Sequence, residues 1–582
     1  MLWTGWVAAV TLFSSSSAER IPREITWTDA TFGPDGPWRA ASVQMGGNGD
    51  PVALYPGSTW ETWLIEDDYC SRSDTCYASK ASTYDASSPS GTQGGIGLLG
   101  ELDPFMLGLD LSGERGRRYM DYMSLNGVKM ANASLMLLES QVVKYPGGRT
   151  APFFAGCLSL GGGAAVNQSF TVDAGPAINA SVPPGWMWEQ AWTPSNSFGM
   201  HVGSVQPDMP GSLWFGGYDR NRVVGDVLGM SGSPRSGITL WDVGIDVAGD
   251  DSPFDYKSKN GLLARGNSSI GGGIKVAIDG CSPYLTLPRS TCYAIAADLP
   301  VDFDAELGLY LWDTASDKYA DIVTSSASLV FSFISGSNTD AVKIRVPFTH
   351  LNLTLSAPLR ETPTPYLPCH VNDMDQYVLG RAFLQDAFVG ANWHPEADTW
   401  WLAQAPGRSI QATADVVAIQ ESDKEISSGG NDWEASWTGV WDEEKKKKKT
   451  VVPSETPTPS SDVDDDGSSS TEEEADDGGL SVGALAGIGV GAAGLALIFG
   501  LGAFFFWRRR GRRDQNQEMP PSRASTPDVT RSATSSKLPV GELHSQWEPP
   551  PETRQELHNR CATPPPGPGQ DPLQYERYEL AS

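Results

Sequence analysis

Chemistry in a chain of 582 residues has to be carried by a few side chains, and the usual sets are missing from this one. There is no His-Glu-x-x-His, no Cys-x-x-Cys and no Gly-x-x-x-x-Gly-Lys. Of the six histidines, two follow residue 508, while His201, His350, His370 and His394 are dispersed, so no metal set and no cofactor are expected. What remains is carboxylate chemistry. Asp50, in GGNGDP, reads as a turn residue, and Asp67 and Asp68 read as solvated residues beyond an apolar run. Asp279 differs: it follows an apolar pair at the head of AIDGCSPYLTLP, residues 277–288.

The elements that must position such a residue are strands. Between about residue 24 and residue 410, short apolar runs such as PVALYP, SLWFGG, YLTLP, LVFSFIS, FVGANW and TWWLA alternate with Gly, Pro, Asn, Asp and Ser clusters. No long 3.6-residue apolar pattern interrupts them, which predicts a mostly β domain. Its length favours two packed β lobes over one sandwich.

Three segments give this pattern a family likeness. Residues 211–227, GSLWFGGYDRNRVVGDV, resemble the part of pepsin-like aspartic peptidases that joins the two lobes, and residues 194–204, PSNSFGMHVGS, resemble what precedes it. Residues 377–393, YVLGRAFLQDAFVGANW, resemble the strand pair that closes the second lobe. With the loop at Cys70 to Cys76, the resemblance covers most of residues 24–410. It implies a bilobal pepsin-like fold with a lobe boundary near residues 210–230.

In that family each lobe supplies one Asp-Thr/Ser-Gly-Thr/Ser loop, and the two aspartates share a proton around a bound water. Two carboxylates about 3 Å apart cannot both ionise, so one serves as base toward water and the other as acid toward the carbonyl. Residues 277–288 fall on the second-lobe loop: Asp279 takes the catalytic position, Gly280 stands for the Thr, Cys281 for the Gly and Ser282 for the last Thr. Residues 52–65, VALYPGSTWETWLI, fall on the first-lobe loop. There Tyr55 stands in place of the partner Asp and Pro56 in place of the Thr, while Gly57, Ser58 and Thr59 keep the pattern. A phenol with an unperturbed pKa of about 10 cannot share a proton with a carboxylate near neutral pH. Pro56 and Gly280 also remove the two hydroxyls that cross-link the loops in the family, and no Tyr-Gly-x-Gly flap motif is present. The resemblance therefore implies an aspartic peptidase fold with half of its catalytic machinery.

The remaining segments place this domain in a membrane context. Residues 1–18 read as a signal peptide, with small residues up to Ala18 after an apolar run. Residues 19–410 form the ectodomain, and residues 411–478 a linker and acidic Ser/Thr/Pro stalk. Trp433, Trp437 and Trp441 in that linker read equally as one face of a short helix or as aromatics in an extended chain. Residues 479–507 are expected to span the bilayer, uncharged from Leu480 to Trp507 and followed at once by Arg508, Arg509, Arg510, Arg512 and Arg513, which belong on the cytoplasmic side. Residues 508–582 form a disordered tail. The sequons at Asn132, Asn167, Asn179, Asn267 and Asn352 all precede the membrane segment, as do six of the seven cysteines. The resemblance pairs Cys70 with Cys76 and Cys292 with Cys369; Cys157 and Cys281 remain, and can be joined only if their Cα atoms lie within about 7 Å.

The net charge of −29 resides in the part before the tail, since residues 508–582 hold 11 basic and 10 acidic side chains. An acidic outer surface excludes nucleic acid as a partner. Gly483, Gly487 and Gly491 share one face of the span and permit a helix dimer. The expected function is that of a single-pass type I cell-surface glycoprotein, catalytically inactive, binding a peptide or cell-wall polymer in the interlobe cleft or sensing at the surface. An active membrane-anchored aspartic endopeptidase is the alternative. The layout resembles fungal cell-surface proteins, which implies the plasma membrane.

Overall fold

Short apolar runs become strands here because the residues between them turn the chain. Asn126 and Gly127, with φ of 46° and 80°, make a two-residue turn between the strands Arg115–Leu125 and Val128–Leu138. Asn-Gly is suited to that left-handed pair, whose twist matches that of the flanking strands. The computed structural model describes residues 20–72, 75–86, 95–101, 108–112, 115–162, 167–170, 178–249, 251–335, 341–371 and 375–441. The expected signal peptide, most of the stalk, the membrane span with Gly483, Gly487 and Gly491, and the tail lie outside the described residues. Among those residues no helix is long and apolar enough to cross a membrane.

Three large sheets organise the described chain. A nine-stranded sheet forms the first lobe and an eight-stranded sheet the second, and a six-stranded sheet takes strands from both. In the six-stranded sheet, Ala387–Asn392 and Thr399–Gln404 are buried along their whole length. That double-sided burial is why their sequences, AFVGAN and TWWLAQ, carry no polar alternation.

Both lobes repeat one arrangement around their loops. In the first, Gly156–Ser159 lies parallel to Asp50–Gly57 and antiparallel to Thr62–Ile65, which in turn runs parallel to Val128–Leu138. In the second, Tyr377–Leu379 lies parallel to Ile274–Ile278 and antiparallel to Leu285–Leu287, which runs parallel to Cys369–Val371. Each lobe thus threads a distant strand between the two arms of its loop, which fixes both loops as parts of a buried sheet.

The ordered domain extends past residue 410, where a linker was expected. Val416–Ala418 pairs with Gly217–Asp219 in the segment joining the lobes. Asp219 anchors both partners, accepting from the amides of Asn221 at 3.0 Å and Asp415 at 2.9 Å. Further on, Asp432 caps the short helix Trp433–Ser436 by accepting from the Ala435 amide at 2.9 Å. Trp433 and Trp437 are buried with Val224 and Val440, and Trp441 stacks on Trp437 with ring centroids 4.6 Å apart. Trp433 opens this helix and Trp437 follows it in a turn, and the apolar area of the three tryptophans holds the chain on the domain as far as Trp441.

Candidate active site at the lobe junction

The first-lobe strand Asp50–Gly57 carries Tyr55, Pro56 and Gly57 into the centre of the molecule, where they meet Asp279, Gly280 and Cys281 at the end of Ile274–Ile278. The approach is backbone to backbone. A Cβ on Gly57 would lie 2.5 Å from Asp279 Oδ1, and one on Gly280 would lie 2.0 Å from the Pro56 carbonyl oxygen. Gly280, which departs from the family pattern, is thus demanded by Pro56 on the opposing loop. Glycine alone permits so close an approach.

Asp279 is buried, and its Oδ1 accepts from the amides of Ser58 at 3.0 Å and Cys281 at 3.1 Å. The first of these amides belongs to the other lobe. Ser58 adds a second cross-lobe bond, its hydroxyl donating to the Ile278 carbonyl at 3.3 Å. A hydroxyl link between the loops therefore survives, carried by Ser58 where Pro56 and Gly280 carry none. Ser282 is fully buried, with its amide bonded to the Asp279 carbonyl at 3.2 Å, so it closes the turn.

Burial pushes the Asp279 carboxyl up from its ordinary 3.8 to about 6, against the opposing effects of the two amides and of Arg235 and Arg381. Burial likewise pushes the Tyr55 phenol above its ordinary value, so the ring stays neutral. The Tyr55 hydroxyl has no hydrogen-bond partner among the described residues. Over the ring, 3.7 Å from its centroid, lies the Arg381 guanidinium, which also donates to the Gly280 carbonyl at 3.1 Å and to that of Cys281 at 2.9 Å. An arginine stacked on a ring and bonded to two carbonyls is held as a structural brace.

Arg381 was not singled out from the sequence, although YVLGRAF shows an arginine inside an apolar run that has to be buried. Asp35 was also missed. It is buried beside Tyr55, its Oδ1 accepts from Trp38 Nε1 at 2.9 Å, and burial raises its pKa while Arg381 opposes that rise. Asp279 accepts from the amides of Ser58 and Cys281 and Asp35 from Trp38, so the two carboxylates have separate hydrogen-bond partners. Asp50 lies at the exposed end of its strand, opposite Met45, which leaves it in the turn.

Among the described residues there are three disulfides. Cys70 pairs with Cys76 and Cys292 with Cys369, with Cα separations of 4.9 Å and 5.8 Å. Cys157 pairs with Cys281, also at 5.8 Å, and this bridge joins the lobes. Cys157 stands beside Tyr55 in the parallel pairing of the first lobe. The side chain that replaces the family's glycine at position 281 therefore reaches across the junction. None of the sequon residues Asn132, Asn167, Asn179, Asn267 and Asn352 is buried. Among the described residues no cluster of His, Cys, Asp and Glu could hold a metal ion.

The space left at the junction is a cavity of about 60 Å³ bordered by Asp35, Tyr55, Tyr145, Cys157, Cys281 and Arg381. It has room for a few waters. Its lining includes Asp35 but not Asp279, so the cavity does not present the two carboxylates together as a pair that gives and takes a proton.

The architecture and site together define a bilobal protein of the pepsin-like type. Residues 43–399 match the eukaryotic aspartyl protease family, and the chain belongs to that family. Among solved structures it is similar to the aspartic proteinase from Irpex lacteus at 14% identity, with 66% of this chain and 97% of that chain covered and a TM-score of 0.42. No curated protein matches the chain.

Proposed function

We propose that this protein is a catalytically silent member of its family: a single-pass type I surface glycoprotein whose ectodomain serves in binding or sensing and does not cleave peptides. One observation carries the reading. The position of the first catalytic aspartate holds Tyr55, a neutral phenol covered by Arg381 at 3.7 Å, while the remaining Asp279 is engaged by backbone amides of both loops. General acid and base assistance are worth about 100- to 10,000-fold per positioned group, and here the pair that supplies both is gone.

The endopeptidase alternative needs a second acid. Asp35 is the carboxylate near Tyr55, but its Oδ1 is taken by Trp38 and it faces Arg381, whereas Asp279 is held by the Ser58 and Cys281 amides. A peptide or cell-wall polymer remains the proposed class of ligand. Tight titration by a statine-containing inhibitor tests the site, because the statine hydroxyl binds between two carboxylates. Calorimetry of the detergent-solubilised protein at pH about 4 is expected to show no saturable binding; stoichiometric binding would overturn the reading. The topology is tested on intact cells, where added protease should remove the ectodomain and spare the tail.

A further inference from the structure

Two kinds of contact tie the lobes together. Around the cavity the ties are noncovalent: Tyr145 and Tyr284 share a hydrogen bond between hydroxyls at 3.0 Å, and the Gly147 amide donates to the Glu306 carbonyl at 3.0 Å. Arg149 donates to the Leu359 carbonyl at 2.8 Å, and the Thr354 and Ser356 amides donate to Gly36 and Pro34. Beneath them is the Cys157–Cys281 bridge. The other two disulfides each stay within one lobe. The cavity wall next to the bridge is apolar, with Leu109, Val143, Phe153 and Phe154.

We propose that the Cys157–Cys281 disulfide is a bolt that keeps the cleft shut around this cavity, and that severing it opens the cleft to an extended apolar peptide segment. The inference deepens the silent-site reading and rests on it for the nature of the ligand. Packed lobes of one chain move relative to each other unless a large interface or a covalent tie prevents it. Hydrogen bonds at a cleft mouth open locally many times before the domain unfolds. A bridge between the inner strand of one lobe and the loop of the other cannot open in that way. The Sγ of Cys281 also packs directly against Gly57, where an added Cβ would lie only 2.3 Å away, so the bridge sits between the two loops.

The test uses the full-length protein in detergent, as wild type, as the Cys157→Ala, Cys281→Ala variant, and as a Cys292→Ala, Cys369→Ala control. The readouts are amide hydrogen exchange across residues 55–59 and 279–282 and the fluorescence of 8-anilinonaphthalene-1-sulfonate, a probe of accessible apolar surface. The bolt variant is expected to exchange at least about tenfold faster in both loops and to bind the dye. The control is expected to keep wild-type exchange there.

Should the variant fail to fold, dithiothreitol is applied to the folded wild type. The dithiol becomes a cyclic disulfide and passes its two electrons and two protons to Cys157 and Cys281, which are then mapped by alkylation. Wild-type exchange in a chain whose Cys157 and Cys281 are alkylated overturns the bolt, as does equal loosening of the control. Those outcomes leave the silent-site reading standing, whereas peptide cleavage by the wild type defeats that reading and leaves the bolt intact.

Discussion

The two loops at the lobe junction are built on the same frame and have met different fates. In the first lobe the frame is kept and the acid is lost: Tyr55 occupies a strand position beside Cys157, and its hydroxyl is without a hydrogen-bond partner among the described residues. In the second lobe the acid is kept, and Asp279 receives amides from both loops. On the proposed reading, the difference teaches that one retained acid does not by itself retain catalysis. What decides is whether the opposing loop offers a carboxylate or, as here, a phenol and an arginine brace.

Four variants sharpen or break this comparison. The largest effect should come from the bridge. Replacing Cys157 and Cys281 together with Ala releases a span of 124 residues in the unfolded chain, and denaturant unfolding should show a loss of about 2–5 kcal/mol. A smaller loss would mean that the loops are held chiefly by their amides. Next is Arg381→Leu, expected to lower stability by about 3 kcal/mol. It strips two buried carbonyls of their donor and leaves the Tyr55 ring uncovered.

The third effect depends on pH. The Asp279 pKa is raised in the folded state, from 3.8 to about 6, so its contribution to stability is complete below pH 3.8 and is lost as pH rises through about 6. Asp279→Asn removes that dependence. Unfolding at pH 4 and pH 7 should show a wild-type decline steeper than the variant's by up to about 3 kcal/mol. Equal slopes would mean that Asp279 is not the buried acceptor described. The smallest effect is that of Tyr55→Phe, neutral or stabilising by up to about 1 kcal/mol, because a buried hydroxyl without a partner is removed. A marked loss of thermal stability would show that the hydroxyl has a partner at the junction after all.

Much of this architecture was legible in the sequence. Alternating apolar runs and turn residues announced the β lobes, and the order of GSLWFGGYD, AIDGCSPYLTLP and YVLGRAFLQDAF placed the two loops. The positions of Tyr55, Gly57, Ser58, Asp279 and Ser282 at one junction followed from it. The brace and the bolt did not. Arg381 and Asp35 lie 346 residues apart, too far for any local pattern to connect them, yet both border the same cavity. Cys157 was visible only as a cysteine left over after two pairings. Residues 411–441 read as a linker because Val416–Ala418 is a short strand whose partner, Gly217–Asp219, lies two hundred residues earlier. Long-range packing of that kind leaves no period in the chain.

The most direct test is proteolysis by the full-length protein, purified in detergent, on an unfolded protein substrate across pH 3 to 7, roughly the range in which a carboxylate pair can share a proton. Tyr55→Asp, assayed alongside, should not restore activity, because the new carboxylate would face Arg381. No cleavage by the wild type above that of a buffer control is expected at any pH. Cleavage that a statine inhibitor blocks and Asp279→Asn abolishes would contradict the silent site.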